Sequence, residues 1–315
     1  MYKGKKVLIT GGAGFIGSHL ARQLYTDGAH IRVLDDLSSG KQENLQGIKH
    51  DFIRGSILDT HCLSASMRGI DLVFHMAGFV SVPDSFVQES RCMAINHLGT
   101  LNTLRAAGKY GVSRVLFAGT AAVYGNSPEM PCRENDTPAP TSPYALSKLA
   151  AEQLVVEWGQ NTALDTVCLR LFNVYGHNTE RHNVGVVSAF TSSIKSRGYG
   201  TITGDGNNTR DFVFIDDVVG AMVQAGSRDQ RLRGEILNIG SGVSTSVMNL
   251  HTIIAAKIRP DSQSLPSPEL AARRVGEVTN SVASIDKAKA TLSWNPRYSL
   301  ERGISKMLAY PQRTM

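Results

Sequence analysis

Lys5-Lys6-Val7-Leu8-Ile9-Thr10-Gly11-Gly12-Ala13-Gly14-Phe15-Ile16-Gly17-Ser18 is the stretch from which the fold follows. Val7–Ile9 is short, apolar and β-branched at both ends, which predicts a buried strand. His19–Leu24 repeats apolar residues at helical spacing, so a helix is expected directly after the glycines. Strand, glycine turn, helix is the context in which such spacing becomes a dinucleotide site. Gly11 permits the tight turn, Gly14 lets backbone approach a pyrophosphate, and Gly17 lets helix and strand pack closely. The helix N-terminus then offers unpaired N–H groups and the positive end of its dipole to phosphates. A second strand-like run, Ile31–Leu34, ends in Asp35-Asp36 at about 20 residues past the glycines. A carboxylate there accepts hydrogen bonds from an adenosine ribose and repels a 2′-phosphate. No arginine follows closely and Lys41 is the nearest cation, so NAD is expected rather than NADP.

The chain has 315 residues, enough for one large or two modest domains with a substantial core. Hydrophobic residues make up 42% and charged residues 19%, which excludes disorder as the default. The net charge of +6 is scattered; without a basic stripe or a reader motif, nucleic-acid binding is not expected. Cys62, Cys92, Cys132 and Cys168 form no CxxC pair, so no metal site is expected and reduced thiols in a cytoplasm are. The N-terminus runs straight into the first strand, and no apolar run approaches membrane-spanning length. A cytoplasmic protein without a membrane association is the expectation.

Strand-like and helix-like runs alternate. Val7–Ile9, Ile31–Leu34, His50–Ile53, Leu72–His75, Arg114–Ala118 and Thr166–Leu171 read as strands, with Ser90–Tyr110 and Pro143–Trp158 the clearest helices between them. This pattern predicts an α/β, doubly wound parallel sheet, a Rossmann fold, with ligands beyond the carboxyl ends of its strands. After Leu171 the rhythm changes: residues 174–210 are rich in Gly, Asn and Thr with one helix at Val186–Ser196, and breaks fall at Pro266-Ser267-Pro268 and Asn295-Pro296. The expected division is a nucleotide-binding domain of residues 1–173 plus 211–240, and a smaller discontinuous C-terminal substrate domain of 174–210 plus 241–315.

Tyr144-Ala145-Leu146-Ser147-Lys148 carries Tyr-x-x-x-Lys at the start of a predicted helix. Positions i and i+4 share a helix face, so phenol and ammonium can point into one site. A lysine beside a tyrosine favours the phenolate and suits it to general-base work. The spacing alone is unspecific, since Tyr2 and Lys6 share it. Its place after the strand ending in Ala118-Gly119-Thr120 is what singles it out. Thr120 would stand at the carboxyl end of the sheet, where its hydroxyl can bond a substrate hydroxyl and relay a proton; as a bare residue it caps a loop equally well.

With these residues in place, the chain resembles the extended short-chain dehydrogenase/reductases, and among them the nucleotide-sugar epimerases. Co-linear matches run almost end to end: Thr10–Ser18, Leu34–Gly40, Val73–Gly78, Asn96–Thr100, Val123–Gly125, Ser142–Lys148, Leu171–Gly176, Gly204–Gly206, Thr209–Val213 and Arg274–Val278. The resemblance implies bound NAD, a nucleotide-diphosphate sugar (UDP-sugar) as substrate, and a catalytic triad of Thr120, Tyr144 and Lys148. It places Gly11, Gly14, Phe15, Ile16 and Gly17 at the pyrophosphate, and Asp35 with Asp36 at the adenosine ribose. Ser56 and Ile57 fall at the adenine, Met76, Ala77 and Gly78 along the cofactor, Asn96 where it helps hold the cofactor, and Phe172 near the nicotinamide. Asn173, Arg210 and Arg274 would grip the sugar nucleotide, a task that suits the planar guanidinium fork. Ser81, Val82, Ala121, Ala122, Val187, Glu277 and Ser281 complete the implied substrate side. The pair of helices Ser90–Tyr110 and Pro143–Trp158 resembles the one with which family members form a homodimer.

Family reactions start alike, with oxidation at the sugar C4. Dehydratases of the family typically follow the threonine with Asp-Glu, and decarboxylases commonly carry Glu in that segment. Here Ala121 and Ala122 stand there, and alanine does no acid–base chemistry. The expectation is therefore an isomerase, an NAD-dependent 4-epimerase of UDP-glucose/galactose or their N-acetyl forms. Two alternatives are a dehydratase or decarboxylase of the same family, and a non-catalytic NAD-binding regulator. Ser281, seven residues after Arg274, matches a position where a bulky tyrosine restricts the sugar pocket in other members. Departures from the family pattern are Ser56 for an Asp, His177-Asn178 for Pro-Arg and Thr203 for an aromatic.

Overall fold

The computed structural model describes residues 1–127, 129–177, 185–261, 266–272 and 278–310. Its strands are β1 (Lys6–Thr10), β2 (His30–Asp35), β3 (His50–Arg54), β4 (Leu72–His75), β5 (Arg114–Thr120), β6 (Asp165–Leu171), β7 (Asn173–Tyr175), β8 (Thr201–Thr203), β9 (Thr209–Phe214), β10 (Glu235–Ile239), β11 (Ser244–Ser246), β12 (Glu269–Ala271) and β13 (Asn280–Ser281). Its helices are α1 (Phe15–Thr26), α2 (Thr60–Met67), α3 (Val82–Val87), α4 (Glu89–Met93), α5 (Gly99–Lys109), α6 (Pro143–Asn161), α7 (Gly185–Arg197), α8 (Ile215–Ser227), α9 (Val247–Ile258), α10 (Asp286–Leu292) and α11 (Leu300–Ala309).

Seven strands form one sheet in the order β10-β6-β5-β4-β1-β2-β3, and every pairing in it is parallel. This is the doubly wound topology expected. The reason lies in the period of two along each strand. Val7 and Ile9 join a core cluster with Leu20 and Leu24 of α1 and Val218 and Met222 of α8. Leu8 between them joins a second cluster with Leu104 and Ala107 of α5 and Ala151 and Val155 of α6. Both faces of the strand are apolar, so both must be covered by helices. Strand order reverses between β1 and β4, which opens a crevice at their carboxyl ends. The helix expected over Ser90–Tyr110 is present as α4 and α5 joined through a π turn at Ala94–Leu98.

At Phe172 the chain leaves the large sheet: Leu171 closes β6, and Asn173 opens β7, which pairs in parallel with β9 of a smaller sheet. Phe172 N–H donates to the Ile239 carbonyl at 3.0 Å, tying this switch to the end of β10. In the smaller sheet β9 also pairs with β11 and β13. Segment 211–240 thus contributes most of β9 to the smaller sheet and β10 to the large one, with α8 packed on α1 between them. No helix among the described residues is long and apolar enough to cross a membrane.

Candidate active site

The glycine turn is built as its sequence demands. Gly11 sits at φ +68°, and a Cβ there would lie 2.6 Å from the Ala77 amide nitrogen. A Cβ on Gly17 would run into the Gly11 carbonyl, so α1 can lie against the turn only with glycine at that position. Gly14 is the N-cap of α1 and leaves the first helical N–H groups uncovered by a side chain. These groups border a cleft of about 400 Å³ over the carboxyl ends of β1, β2 and β4. Of the residues assigned to the cofactor, Gly11, Gly14, Phe15, Ile16, Gly17, Asp35, Asp36, Ser56, Ile57, Met76, Ala77 and Gly78 all line it.

Asp35 has a second task that its sequence position does not advertise. One carboxylate oxygen accepts the Ala13 N–H at 2.9 Å and the other the Leu37 N–H at 2.9 Å, which fastens the glycine turn to the end of β2. Burial pushes this carboxyl above the usual carboxylate range, and the two N–H donors oppose the shift. Each oxygen keeps a lone pair for a ribose hydroxyl. A cradle that a Cβ would fill, a helix N-terminus and a carboxylate at the end of β2 together fit a dinucleotide without a 2′-phosphate.

Across the cleft stand the three catalytic candidates. Ser142 caps α6 by accepting the Ala145 N–H at 3.2 Å, and Pro143 follows in the first turn, so the helix starts where Tyr144 and Lys148 share its inner face. Lys148 is 5% exposed. Its ammonium donates to the Ala118 carbonyl at 2.9 Å, lies 4.6 Å from the centroid of the Phe117 ring, and would be 3.2 Å from a Cβ on Gly78. Burial lowers its pKa to about 8. Thr120 ends β5; its oxygen accepts the Ala122 N–H at 3.2 Å, so it does cap a loop, and its own proton remains free to donate. The same hydroxyl lies against Tyr144: burial raises the half-buried phenol above its ordinary value, and the bond to Thr120 pulls it back. The three residues are brought together at the end of β5, where Ala118 meets the cleft.

Behind them, Glu152, four residues along α6 from Lys148, grips Arg170 of β6 through two bonds of 2.6 and 2.9 Å, with both side chains almost fully buried. The Asn96 amide is held by protein: its oxygen accepts the Phe79 N–H at 2.8 Å and its nitrogen donates to the Phe79 carbonyl at 3.1 Å. It therefore bears on the cleft by clamping the loop that lines it.

On the substrate side the residues spread over the smaller sheet. Arg210 and Ser281 are paired neighbours on β9 and β13, and Asn173 on β7 pairs with Phe212 of β9. The Arg210 guanidinium donates to the carbonyls of Thr209, Val278 and Thr279. Ser81 lines the cleft and caps α3, and Val82 begins that helix. Ala121 and Ala122 form a 3₁₀ turn after Thr120. Phe172 lies between the two sheets, and Val187 is packed into the core from α7 at 3% exposure. Arg274 and Glu277 lie outside the described residues. Asp84, Gln88, Arg91 and Ile95 also line the cleft and were not anticipated. The signal for the first of them is Ser81-Val82-Pro83-Asp84, a capped helix start that precedes the expected helix by several residues.

A parallel sheet reversing beside a glycine cradle, with a Tyr-x-x-x-Lys helix closing the far side, defines an extended short-chain dehydrogenase/reductase. The chain belongs to the NAD-dependent epimerase/dehydratase family, whose model matches residues 7–240. It is an enzyme, an isomerase of the epimerase group with NAD as its cofactor. It is 35% identical to a UDP-glucose 4-epimerase of Mycolicibacterium smegmatis, over 97% of this chain and 98% of that one. The crystal structure of UDP-glucose 4-epimerase with UDP-glucose from Thermotoga maritima superposes with a TM-score of 0.90 at 34% identity, covering 97% of this chain and 98% of the other. The Thermus thermophilus UDP-glucose 4-epimerase complex with NAD gives 0.86 at 34% identity, over 96% and 97%.

Proposed function

We propose that the protein is a UDP-sugar 4-epimerase, acting on UDP-glucose and UDP-galactose or their N-acetyl counterparts. The observation that carries this is the grouping of Thr120, Tyr144 and Lys148 at the end of β5 with only methyl side chains, Ala121 and Ala122, in the turn that follows. NAD, held in the glycine cradle, would supply the hydride-accepting and hydride-donating chemistry at sugar C4. Tyr144 takes the proton of the 4-hydroxyl as that carbon is oxidised to a ketone, and gives it back on reduction. Thr120 donates to the oxygen being transformed and holds it against the phenol. The Lys148 ammonium stabilises phenolate and bonds the nicotinamide ribose. Inversion requires the keto sugar to turn over between the two transfers, and the two alanines leave the space and present no acid or base to divert it.

Gly11, Gly14, Phe15, Ile16, Gly17, Asp35, Ser56, Ile57, Met76, Ala77 and Gly78 hold the cofactor, with Asn96 acting through Phe79. Asn173, Arg210 and Arg274 hold the diphosphate and sugar. The large sheet serves the cofactor and the smaller one the substrate. Ser281, small and beside Arg210, supports acceptance of a 2-acetamido group. Leu98 and Leu146, 44% and 49% exposed on neighbouring helical segments, support a homodimer through that face. Dispersed free thiols accord with a cytoplasmic setting.

The test is to incubate the purified protein with UDP-glucose, UDP-galactose and the N-acetyl pair without added NAD, and to follow products by proton NMR and mass spectrometry. Unchanged mass with inverted coupling at C4 is expected, and Tyr144→Phe should lower the rate by about 10²–10⁴. A product lighter by water or carbon dioxide would overturn the reaction, and full activity of Tyr144→Phe would overturn the role of the phenol.

A further inference from the structure

Behind the inner face of α6 lies a set of polar side chains that no solvent reaches. Ser147 and Cys92 are 0% exposed, and Asn96 is 2% exposed. Hydrogen placement among them is determined by the bonds they make. Ser147 Oγ donates to the Tyr144 carbonyl at 2.8 Å. Its lone pairs then face Asn96 Nδ2 at 2.8 Å and Cys92 Sγ at 3.3 Å, which makes the thiol a donor. Asn96 also bonds both polar groups of Phe79, and its Nδ2 makes a longer contact of 3.7 Å with Cys92 Sγ. Its main-chain carbonyl accepts from Thr100 Oγ1 at 2.6 Å, and Thr100 accepts in turn from His75 Nε2 at 3.0 Å. His75 Nδ1 is left to accept from Thr10 Oγ1 at 2.7 Å, and Thr10 accepts the Ala77 N–H at 3.3 Å. One unbroken chain of bonds therefore joins the first turn of α6 to the strand that enters the glycine turn.

The π turn at Ala94–Leu98 makes this possible, because it adds a residue to the helical turn that carries Asn96. A fully buried helix position is filled by an apolar side chain at no hydrogen-bonding cost, whereas a buried hydroxyl must be satisfied on every side. At Ser147 it is satisfied on every side, and two of its partners are the Tyr144 carbonyl and the side chain that clamps Phe79. Phe79 and the preceding Gly78 line the cleft, and Gly78 faces the Lys148 ammonium.

We propose that Ser147 is a positioning residue, with Cys92 donating to it: together they fix the spacing between the Tyr144 turn and the Gly78-Phe79 wall of the cleft, and so set the phenol for proton transfer. This rests on the catalytic role given above to Tyr144, and on no choice of sugar. Serine and alanine differ little in volume, so paired substitutions separate hydrogen bonding from packing. The readout is the single-turnover rate of NADH formation by the NAD-bound enzyme with UDP-glucose, a half-reaction common to epimerase, dehydratase and decarboxylase routes, alongside kcat, KM and bound NAD. Ser147→Ala should slow that half-reaction by about tenfold and leave KM and NAD content within about twofold, because misplacing a catalytic group acts on the chemical step. Cys92→Ala should slow it by about threefold, and Cys92→Ser, which restores a donor, should recover most of the rate. Ser147→Ala at the parent rate, or Cys92→Ala and Cys92→Ser slowed alike, would overturn the proposal. A parent enzyme that forms NADH without inverting C4 would defeat the epimerase reading and leave this test intact; one that forms no NADH with UDP-glucose, UDP-galactose or either N-acetyl counterpart, each tried in the same assay, defeats both.

Discussion

Lys148 carries its charge in a place that resists it. A carbonyl at 2.9 Å and a phenyl ring face are what the site offers the ammonium, and burial brings its pKa down from 10.5 to about 8. The native protein thus holds this proton less tightly than the unfolded chain does. Between pH 8 and 10.5 the unfolded state binds more protons, so stability from this residue rises with pH across that window, and below pH 8 the full penalty remains. Cofactor-free Lys148→Met should accordingly be more stable than the parent at pH 7, by up to about 3 kcal/mol, with the gap closing as pH rises through 8 toward 10. Thermal unfolding of both proteins over that range checks it; a gap independent of pH would count against a buried charge. At this scale the sequence was informative where backbone geometry leaves one choice. Gly11 and Gly17 could be assigned because a side chain at either position collides with backbone, and Asp35 because it ends the second strand. The clamp of Asn96 on Phe79 was not legible, since it joins residues 17 apart through a turn whose residue count follows no common helical period.

Among elements, α6 is the one on which the site depends, and its attachment is ionic as well as apolar. Glu152 and Arg170 meet through two short bonds; Cys168 Sγ donates to Glu152 at 3.3 Å, and the guanidinium lies 4.7 Å from the centroid of the Tyr124 ring. Removing one charge of such a pair leaves the other buried and unmatched. Glu152→Gln should cost about 3–5 kcal/mol in urea unfolding, while Glu152→Leu combined with Arg170→Met should recover much of that loss. If the double variant were no more stable than the single one, the ion pair would be contributing more than mutual compensation. Strands were the easier elements to read: Leu72–His75 was placed to the residue, and β5 ran two residues further than expected, to Thr120. The helix α3 carries no such signal, because at six residues it is too short for apolar periodicity to declare itself, whereas α4 falls within the expected helix Ser90–Tyr110.

At the scale of the whole molecule, Asp211 joins the two sheets. It is fully buried on β9, and its carboxylate accepts from Ser241 N, Ser241 Oγ, Gly242 N and Ala283 N, groups that follow β10 and β13. Burial raises its pKa, and these donors oppose the rise. Asparagine in its place would turn two hydrogens toward groups that are themselves donors. Asp211→Asn should raise the KM for the sugar nucleotide about tenfold through displacement of Arg210 next to it, with bound NAD retained; equal loss of both ligands would refute a local effect. The alternating pattern announced the large sheet, but membership of the smaller one was not legible, because its strands are two to six residues long and owe their partners to contacts across the chain.

The position of β10 has a consequence for the protein as it is being made. This strand closes the sheet beside β6, yet 63 residues separate the end of one from the start of the other. A nascent chain that has emerged only through Leu171 already owns the glycine cradle and the Tyr144 helix. The side of Val167–Leu171 that faces away from β5 has no partner strand until Glu235–Ile239 leave the ribosome. For that interval β6 is an open, apolar edge, the kind of surface on which a second nascent chain can align its own β6. Slow translation between codons 172 and 239 should therefore lower the soluble yield of this protein more than an equal pause placed after β10.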